Sequence, residues 1–190
     1  MRRILLFALT LALTCATGFA QHDYNASYFG IKSNGVTDNT ASIQKAIDFI
    51  SEKGGGTLSF YVGRYVTGAV ALKSKVHIKL NEGAVIVGSP NIYAYKGQKG
   101  LFHASEQEDI TISGKGVIDA CGPELSAFIE TQRRKGFLSE DLQVPAPLYF
   151  ENCKGIVLQQ FIIRHSATAP DLYRARDSDV RVDGCYSDTK

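Results

Sequence analysis

The sequence predicts an all-β fold, a parallel β-helix wound from a single chain and closed at its N-terminal end by one α-helix. Between Thr57 and Ser89, short β-branched runs are separated only by small turns, and no stretch long enough for a helix lies between them. Comparable runs begin again at Ile110, Ile156 and Val180. Many short strands at nearly regular spacing, without hairpin turns or crossover helices, are typical of a chain that coils around itself.

The first twenty residues are expected to be a secretory signal peptide, outside the fold. Arg2 and Arg3 precede an apolar run, Ile4 to Ala12, that is too short to span a bilayer comfortably. Gly18-Phe19-Ala20 then places small residues before a cleavage point at Gln21. We therefore expect a secreted or periplasmic β-helix domain over 21–190, without an integral membrane segment after signal cleavage.

The charge balance argues against nucleic acid as a partner. Without Arg2 and Arg3 the 21 basic residues become 19, equal to the 19 acidic residues. Nucleic-acid binders usually carry a basic excess or a basic stripe. The hydrophobic share of 44% is ordinary for a globular domain.

Three cysteines follow the signal segment: Cys121, Cys153 and Cys185. Their spacing is too wide for a CxxC zinc or redox motif, and an odd number leaves at least one unpaired. Burial as small apolar residues is favoured over a disulfide bridge, although both remain open. No metal or cofactor is expected.

Residues 40–53 are predicted to form the capping helix. Thr37-Asp38-Asn39-Thr40 supplies N-cap residue types, and Gly54-Gly55-Gly56 ends the element. Apolar residues recur at helical spacing between them: Ile43, Ala46, Ile47 and Ile50. Because the first coil of a β-helix exposes a sheet edge, an amphipathic helix here is expected to cover it.

The later strands repeat with the spacing of one or two coils. Ile156 and Val180 are 24 positions apart, and Ile110 and Ile156 are 46 apart, close to twice that. An inserted loop of about 120–147, with a short helix around Glu124 to Arg134, accounts for the longer interval. In a β-helix such an insertion walls a binding groove or is a plain surface loop, and the sequence favours neither.

Several motifs resemble those of one enzyme family. Tyr28 to Thr40, YFGIKSNGVTDNT, resembles the FGAKGDGVTDDT opening of pectin-degrading β-helix enzymes. Further matches follow in order at Ile43–Ile47, Gly54–Leu58, Leu72–Val76, Glu82–Ala84 and Ile112–Asp119. The chain after residue 20 is therefore similar to the N-terminal part of the polygalacturonase family of glycoside hydrolases, within the pectin lyase-like β-helix superfamily.

The resemblance implies a right-handed parallel β-helix that hydrolyses pectin-type polyuronides with inversion. In such enzymes one Asp protonates the leaving oxygen and other carboxylates activate water, at a separation of about 6.5–9.5 Å. The family's aspartates lie in Asn-x-Asp-Gly and Asp-Asp motifs, and neither occurs here. His103 and His165 also lack the flanking glycines of the family's Gly-His-Gly motif. The catalytic aspartates are therefore expected to be missing from this chain.

Arg164 and His165 are the candidate substrate-binding residues, because arginine binds carboxylates well and the pair follows a buried-type strand. The other interpretation places them on the outer face of a strand. The aromatic candidates for stacking on sugar rings are Tyr93, Tyr95 and Phe102. A late acidic group is interpreted as turn residues or as a carboxylate or Ca²⁺ site: Asp171, Asp177, Asp179, Asp183 and Asp188.

Two alternatives to a polygalacturonase-like hydrolase stay open. A non-catalytic polysaccharide-binding or structural β-helix would bind sugar without releasing reducing ends. A Ca²⁺-dependent polysaccharide lyase would release unsaturated products and would be inhibited by a chelator. The fold alone does not decide between them, because one fold serves many activities.

Overall fold

The computed structural model describes residues 22–167 and 172–188. The predicted signal peptide at 1–20 lies outside the described residues. The lead-in contains β1 (Asp23–Asn25), a short 3-10 helix (Ala26–Phe29), β2 (Asn34–Asp38) and α1 (Thr40–Glu52). The successive coils contain β3 (Gly56–Phe60), β4 (Gly63–Thr67), β5 (Val70–Ala71), β6 (Val76–Leu80), β7 (Ala84–Gly88), a 3-10 helix (Ile92–Tyr95), β8 (Gly100–Ser105), β9 (Thr111–Gly114), β10 (Val117–Asp119), α2 (Gly122–Arg134), β11 (Ala146–Glu151), β12 (Ile156–Gln159), β13 (Ile162–Arg164), β14 (Arg174–Arg176), β15 (Val180–Asp183) and β16 (Tyr186–Asp188).

These strands form three parallel sheets, to which each full coil contributes one strand apiece. Sheet A has the order β1-β3-β6-β9-β12-β15, sheet B the order β2-β4-β7-β10-β13-β16, and sheet C the order β5-β8-β11-β14. Neighbouring strands pair in parallel, one coil apart in the chain. The prediction of an all-β, right-handed parallel β-helix is confirmed.

The core consists of like side chains stacked from coil to coil. In sheet A, Ile112 lies at the same register position as Ile78 and Leu158, and all three are fully buried. In sheet B, Ile118 lies between Ile86 and Ile163 in the same way. Because each inward side chain packs on those above and below, alternating apolar positions along every strand produce one continuous core.

Helix α1 closes the N-terminal end of this core. Its buried residues are the four at helical spacing, Ile43, Ala46, Ile47 and Ile50. On its other side, the Gln44 amide donates to the Ala71 carbonyl and accepts from the Ala71 N–H at 3.1 and 2.8 Å. Because Ala71 belongs to β5, the edge strand of sheet C, this side chain satisfies backbone groups that would otherwise be unpaired.

Of the predicted N-cap residues of α1, Asp38 rather than Asn39 bonds to the first turn. Asn39 occupies the cap position but makes no side-chain cap bond, because its amide is buried and bonds to the backbone of Lys32 instead. The Asp38 carboxylate accepts from the Thr40 N–H at 2.9 Å. A side chain one residue earlier therefore satisfies the first turn.

Helix α2 lies within the stretch that interrupts the strand pattern. Leu125 and Ile129 are buried, and Phe128 makes an edge-to-face contact with Tyr93 at 6.1 Å between ring centroids. At its end, the Arg133 guanidinium donates to the carbonyls of Ser139 and Leu142. The helix thereby holds the segment that leads back into sheet C. In the described ranges, no helix is long and apolar enough to cross a membrane.

Candidate functional site

The outer face of sheet C carries a ladder of three polar side chains from consecutive coils. His103 on β8, Tyr149 on β11 and Arg174 on β14 share one register position. Strands in a sheet are about 4.8 Å apart, so these residues follow one another along the axis of the β-helix at that interval. Ala71 occupies the same position on β5 and leaves open space beyond His103.

A groove runs along this ladder. A cavity of about 120 Å³ is lined by Lys99, His103, Tyr149 and Glu151, and an adjoining one of about 350 Å³ reaches Arg174. At the N-terminal end, a larger cavity of about 760 Å³ lies between α1 and the segment 94–98. Gln98 lines all three, so they form one continuous depression, which we call the sheet C groove.

The connectors from sheet B to sheet C form one side of the sheet C groove. Residues 97–99 and 141–145 line its middle part, and Arg133 ties the second segment to α2. The insertion between β10 and β11 thus contributes one wall of this depression, and its part in a binding groove stays a prediction.

The sheet C groove is more cationic than the net charge of the chain suggests. Lys45, Lys96, Lys99 and Arg174 line it, and none of the four is in an ion pair with another residue of the described ranges. Two of its carboxylates are in ion pairs: Glu151 lies 3.2 Å from Arg176, and Asp48 lies 3.1 Å from Lys73. Two others, Asp38 and Asp141, line the groove without an ion pair among the described residues, so the four cations exceed the unpaired carboxylates by two. The groove therefore presents unpaired positive charge to a ligand.

Burial sets the protonation of His103, and a neighbouring lysine sets the hydrogen bonding of Tyr149, in the middle of the sheet C groove. Burial lowers the pKa of the His103 imidazole, so this ring is neutral at neutral pH. The Lys99 ammonium donates to the Tyr149 hydroxyl oxygen at 3.2 Å and lies 5.1 Å from the centre of that ring. The phenol keeps its own proton available for another acceptor.

The lowered pKa of His103 predicts a loss of stability in mild acid. Below pH about 6.5 the unfolded chain protonates this imidazole while the folded protein does not, so the free energy of unfolding falls as the pH falls. His77 on sheet A, also lowered by burial, contributes in the same direction. We expect His103→Gln to reduce the difference between urea unfolding at pH about 7.5 and about 5.5. An unchanged difference in the variant would contradict this assignment.

The two predicted substrate-binding residues lie on sheet B, outside the ladder. Arg164 ends β13 and is exposed. The His165 Nδ1 is 3.0 Å from the Asp119 Oδ1, and the Arg64 guanidinium approaches the other carboxylate oxygen at 3.8 Å. Binding of substrate by Arg164 and His165 stays a prediction, but His165 has a second role. Its carbonyl accepts from Gly122 N–H, which joins the start of α2 to the next coil.

Sequence reasoning missed Asp119 and Arg64 as partners of His165. Asp119 ends β10 and lies in register with Arg164, 45 positions later, which is within one position of the 46-position interval between Ile110 and Ile156. This repeat interval is the sequence feature from which the proximity of Asp119 to Arg164 and His165 could have been predicted. The same interval relates His103 to Tyr149, which was also missed.

The cysteines are unpaired thiols in the described ranges. Cys153 is buried, and Cys121 and Cys185 are half-buried. Burial, reinforced by the Asp119 carboxylate, raises the pKa of the Cys121 thiol to about 12. Cys121 is therefore a poor nucleophile despite its place beside His165.

Burial determines which of the predicted aromatic residues exposes a ring to a sugar. Phe102 and Tyr95 are within the core and present no ring face to a ligand, whereas Tyr93 is half-exposed and rests against Phe128. Of the late acidic group, Asp171 lies outside the described residues. Among the residues that are described, no three His, Cys, Asp or Glu side chains are grouped to hold a metal ion.

Comparison with known proteins places this fold. A crystal structure from Parabacteroides merdae, provisionally described as a glycosyl hydrolase, is 41% identical with a TM-score of 0.83, over 88% of this chain and 75% of that one. The family 28 exopolygalacturonase of Yersinia enterocolitica has the same fold, with a TM-score of 0.73 at 20% identity over 88% of this chain and 39% of its own.

A curated relative, the exo-poly-alpha-D-galacturonosidase of Dickeya chrysanthemi, is 35% identical over 123 residues, or 54% of this chain. The match spans 20% of that relative's length. No family model matches the chain. With 41% identity to a protein of which it covers 75%, the chain belongs to the family of that glycosyl hydrolase, and it shares the β-helix fold of the exopolygalacturonases.

Proposed function

We propose that the sheet C groove binds an extended chain of acidic sugars, a pectin-type polyuronide. The observation that carries this proposal is the set of groove cations without ion-pair partners, Lys45, Lys96, Lys99 and Arg174, in a protein without a basic excess outside its first residues. A polyuronide carries a carboxylate on every sugar, and guanidinium and ammonium groups are the side chains that bind carboxylates.

The groove direction suits a polymer. The ladder of His103, Tyr149 and Arg174 runs from coil to coil, so a sugar chain laid along it meets a new polar side chain at each step. The half-buried ring of Tyr149 supplies an apolar face among these groups, as sugar rings require. Resemblance to polygalacturonases supports the same class of ligand.

Inverting hydrolysis is the finer activity that the family resemblance implies. It needs two carboxyl groups about 6.5–9.5 Å apart, one protonated and one able to activate water. In the sheet C groove, Glu151 and Asp48 are each engaged in an ion pair, with Arg176 and Lys73 respectively. We therefore assign binding, rather than this hydrolysis, to the groove residues, and expect no reducing-end release that depends on Glu151.

Arg174→Gln tests the binding proposal. We expect the Kd for an oligogalacturonate to rise about tenfold, because one unpaired cation facing the ligand is lost. Calorimetric titration at low salt measures this Kd, and raising the salt concentration is expected to weaken wild-type binding as well.

Lys79→Gln is the matched control for that experiment. Lys79 is exposed on the outer face of sheet A, so the same loss of charge takes place away from the sheet C groove. Its Kd should equal that of the wild type. A flat wild-type titration, or equal weakening in both variants, would refute binding in this groove.

The two alternative functions predict different products from the same polysaccharide. A non-catalytic binding protein gives saturable titration without reducing ends or unsaturated products. A Ca²⁺-dependent lyase gives unsaturated products that disappear with chelator. Export, proposed from residues 1–20, is tested separately by locating the protein in culture fractions after expression with and without that segment.

A further inference from the structure

We propose that Asn34 is a site of self-modification: the Gly35 nitrogen attacks the side-chain amide of Asn34, ammonia leaves, and a carboxylate forms at position 34. Asn34-Gly35 is the one Asn-Gly pair in the sequence. On β2, Asn34 is exposed and Gly35 is half-exposed, so water reaches both residues. The inference concerns the lead-in strand and is independent of the function proposed for the sheet C groove.

The backbone at Gly35 leaves the regular strand pairing. Asn34 pairs with Arg64 and Asp38 pairs with Val66, so more residues lie between the two pairs on β2 than on β4. The residues between Asn34 and Asp38 therefore form a bulge. Gly35 has a φ of +75° and no Cβ, so its nitrogen can approach the preceding side chain without steric obstruction.

The side-chain carbonyl of Asn34 is held as the reaction requires. Its Oδ1 accepts hydrogen bonds from the Val36 and Thr37 N–H groups at 3.1 and 3.0 Å. These donors fold the amide back over the Gly35 peptide, and they stabilise the negative charge that develops on Oδ1 during attack, as an oxyanion hole does. The departing Nδ2 donates to the Thr37 hydroxyl oxygen at 2.9 Å, beside a group that can pass it a proton.

The reaction needs no reagent other than water. The Gly35 nitrogen loses its proton and bonds to the Cγ of Asn34, the Cγ–Nδ2 bond breaks, and Nδ2 takes up a proton and leaves as ammonia. Water then opens the succinimide ring at one of its two carbonyls. Opening at one carbonyl gives aspartate, and opening at the other gives isoaspartate, in which the main chain runs through Cγ. No oxidant or reductant is consumed.

The surroundings of residue 34 suit an aspartate. The motif FGAKGDGVTDDT, which residues 29–40 resemble, has Asp at the position of Asn34. An aspartate there keeps both N–H donors and accepts from the Thr37 hydroxyl instead of donating to it. Arg64, in register on the neighbouring strand, places a cation beside the new carboxylate.

Mass spectrometry of the full chain, kept in mildly alkaline buffer and sampled over time, tests the proposal. Cleavage after lysine gives a fragment from Ser33 to Lys45 that contains both Asn34 and Asn39. We expect the mass increase from amide to carboxylate at Asn34 and none at Asn39, whose buried amide bonds to the backbone of Lys32. An unchanged Asn34, or equal conversion of the two residues, would overturn the proposal.

Gly35→Ala is expected to slow the conversion by about tenfold or more, because a Cβ displaces the attacking nitrogen. Gly30→Ala is the matched control, since Gly30 has a similar φ of +73° with nothing within 4 Å of a Cβ, and its rate should equal that of the wild type. Equal rates in all three proteins would contradict attack by the Gly35 nitrogen.

A free peptide of residues 33–45 provides a comparison that does not depend on the folding of a variant. Because the fold positions the two N–H donors, we expect the folded chain to convert at least as fast as the peptide, and slower conversion would refute their role. Asn34→Asp should melt at a temperature no lower than the wild type. A lower melting temperature would show that the fold does not accommodate the product.

Discussion

Replacing Ile112 by alanine is expected to lower the free energy of unfolding by about 2–5 kcal/mol. Ile112 is fully buried on β9 and is stacked between Ile78 and Leu158 of the coils on either side. Because both neighbours belong to hydrogen-bonded strands, the structure cannot collapse into the space that the lost side chain leaves. Urea unfolding followed by circular dichroism measures the change.

Thr111→Ala is the control on the same strand. Thr111 points to the outer face of sheet A, so its truncation leaves the core intact. We expect a change within about 0.5 kcal/mol. Similar losses for the two substitutions would mean that alternate residues of β9 do not face opposite sides, which would contradict the β-helix itself.

Gly114→Ala is expected to cost more than about 4 kcal/mol and to prevent accumulation of soluble folded protein. A Cβ at this position would lie 2.1 Å from the Leu80 carbonyl oxygen, and the backbone φ of +113° is one that L side chains rarely adopt. Leu80 ends the strand of the preceding coil, so relief of the clash would require separation of adjacent coils. Expression level and thermal unfolding report the effect.

Gly136→Ala separates the two causes. Gly136 also has a positive φ, +74°, but a Cβ there meets nothing within 4 Å. Only the backbone strain remains, and we expect a cost of about 1–2 kcal/mol. If Gly114→Ala were tolerated as well as this control, close packing of consecutive coils at that corner would be disproved.

The strand pattern was predictable because it depends on local alternation. In β6, Val76, Ile78 and Leu80 are buried while His77 and Lys79 face outward, as a period of two requires. The interval of 46 between Ile110 and Ile156 also relates His103 to Tyr149. The same repeat interval therefore predicts the ladder in the sheet C groove, whereas the Gly-His-Gly motif concerns only the residues directly next to His103 in the chain.

The pairing of His165 with Asp119 was harder to predict. Repeat spacing aligns Asp119 with Arg164, whereas its carboxylate binds the next residue, which has a left-handed backbone at φ 50°. Spacing predicts which Cα atoms are neighbours. It does not predict a turn that redirects a side chain by one position.

The amino-acid sequence by itself determined the coil, the amphipathic cap and which side chains face inward, because these follow from short-range periodicity and burial of apolar surface. The tertiary structure alone decided which outward side chains meet, how the 120–147 insertion walls the sheet C groove, and which charges stay unpaired within it. Those features depend on contacts between residues 25 to 50 positions apart, and the register of stacked coils and the packing of their connectors set such contacts.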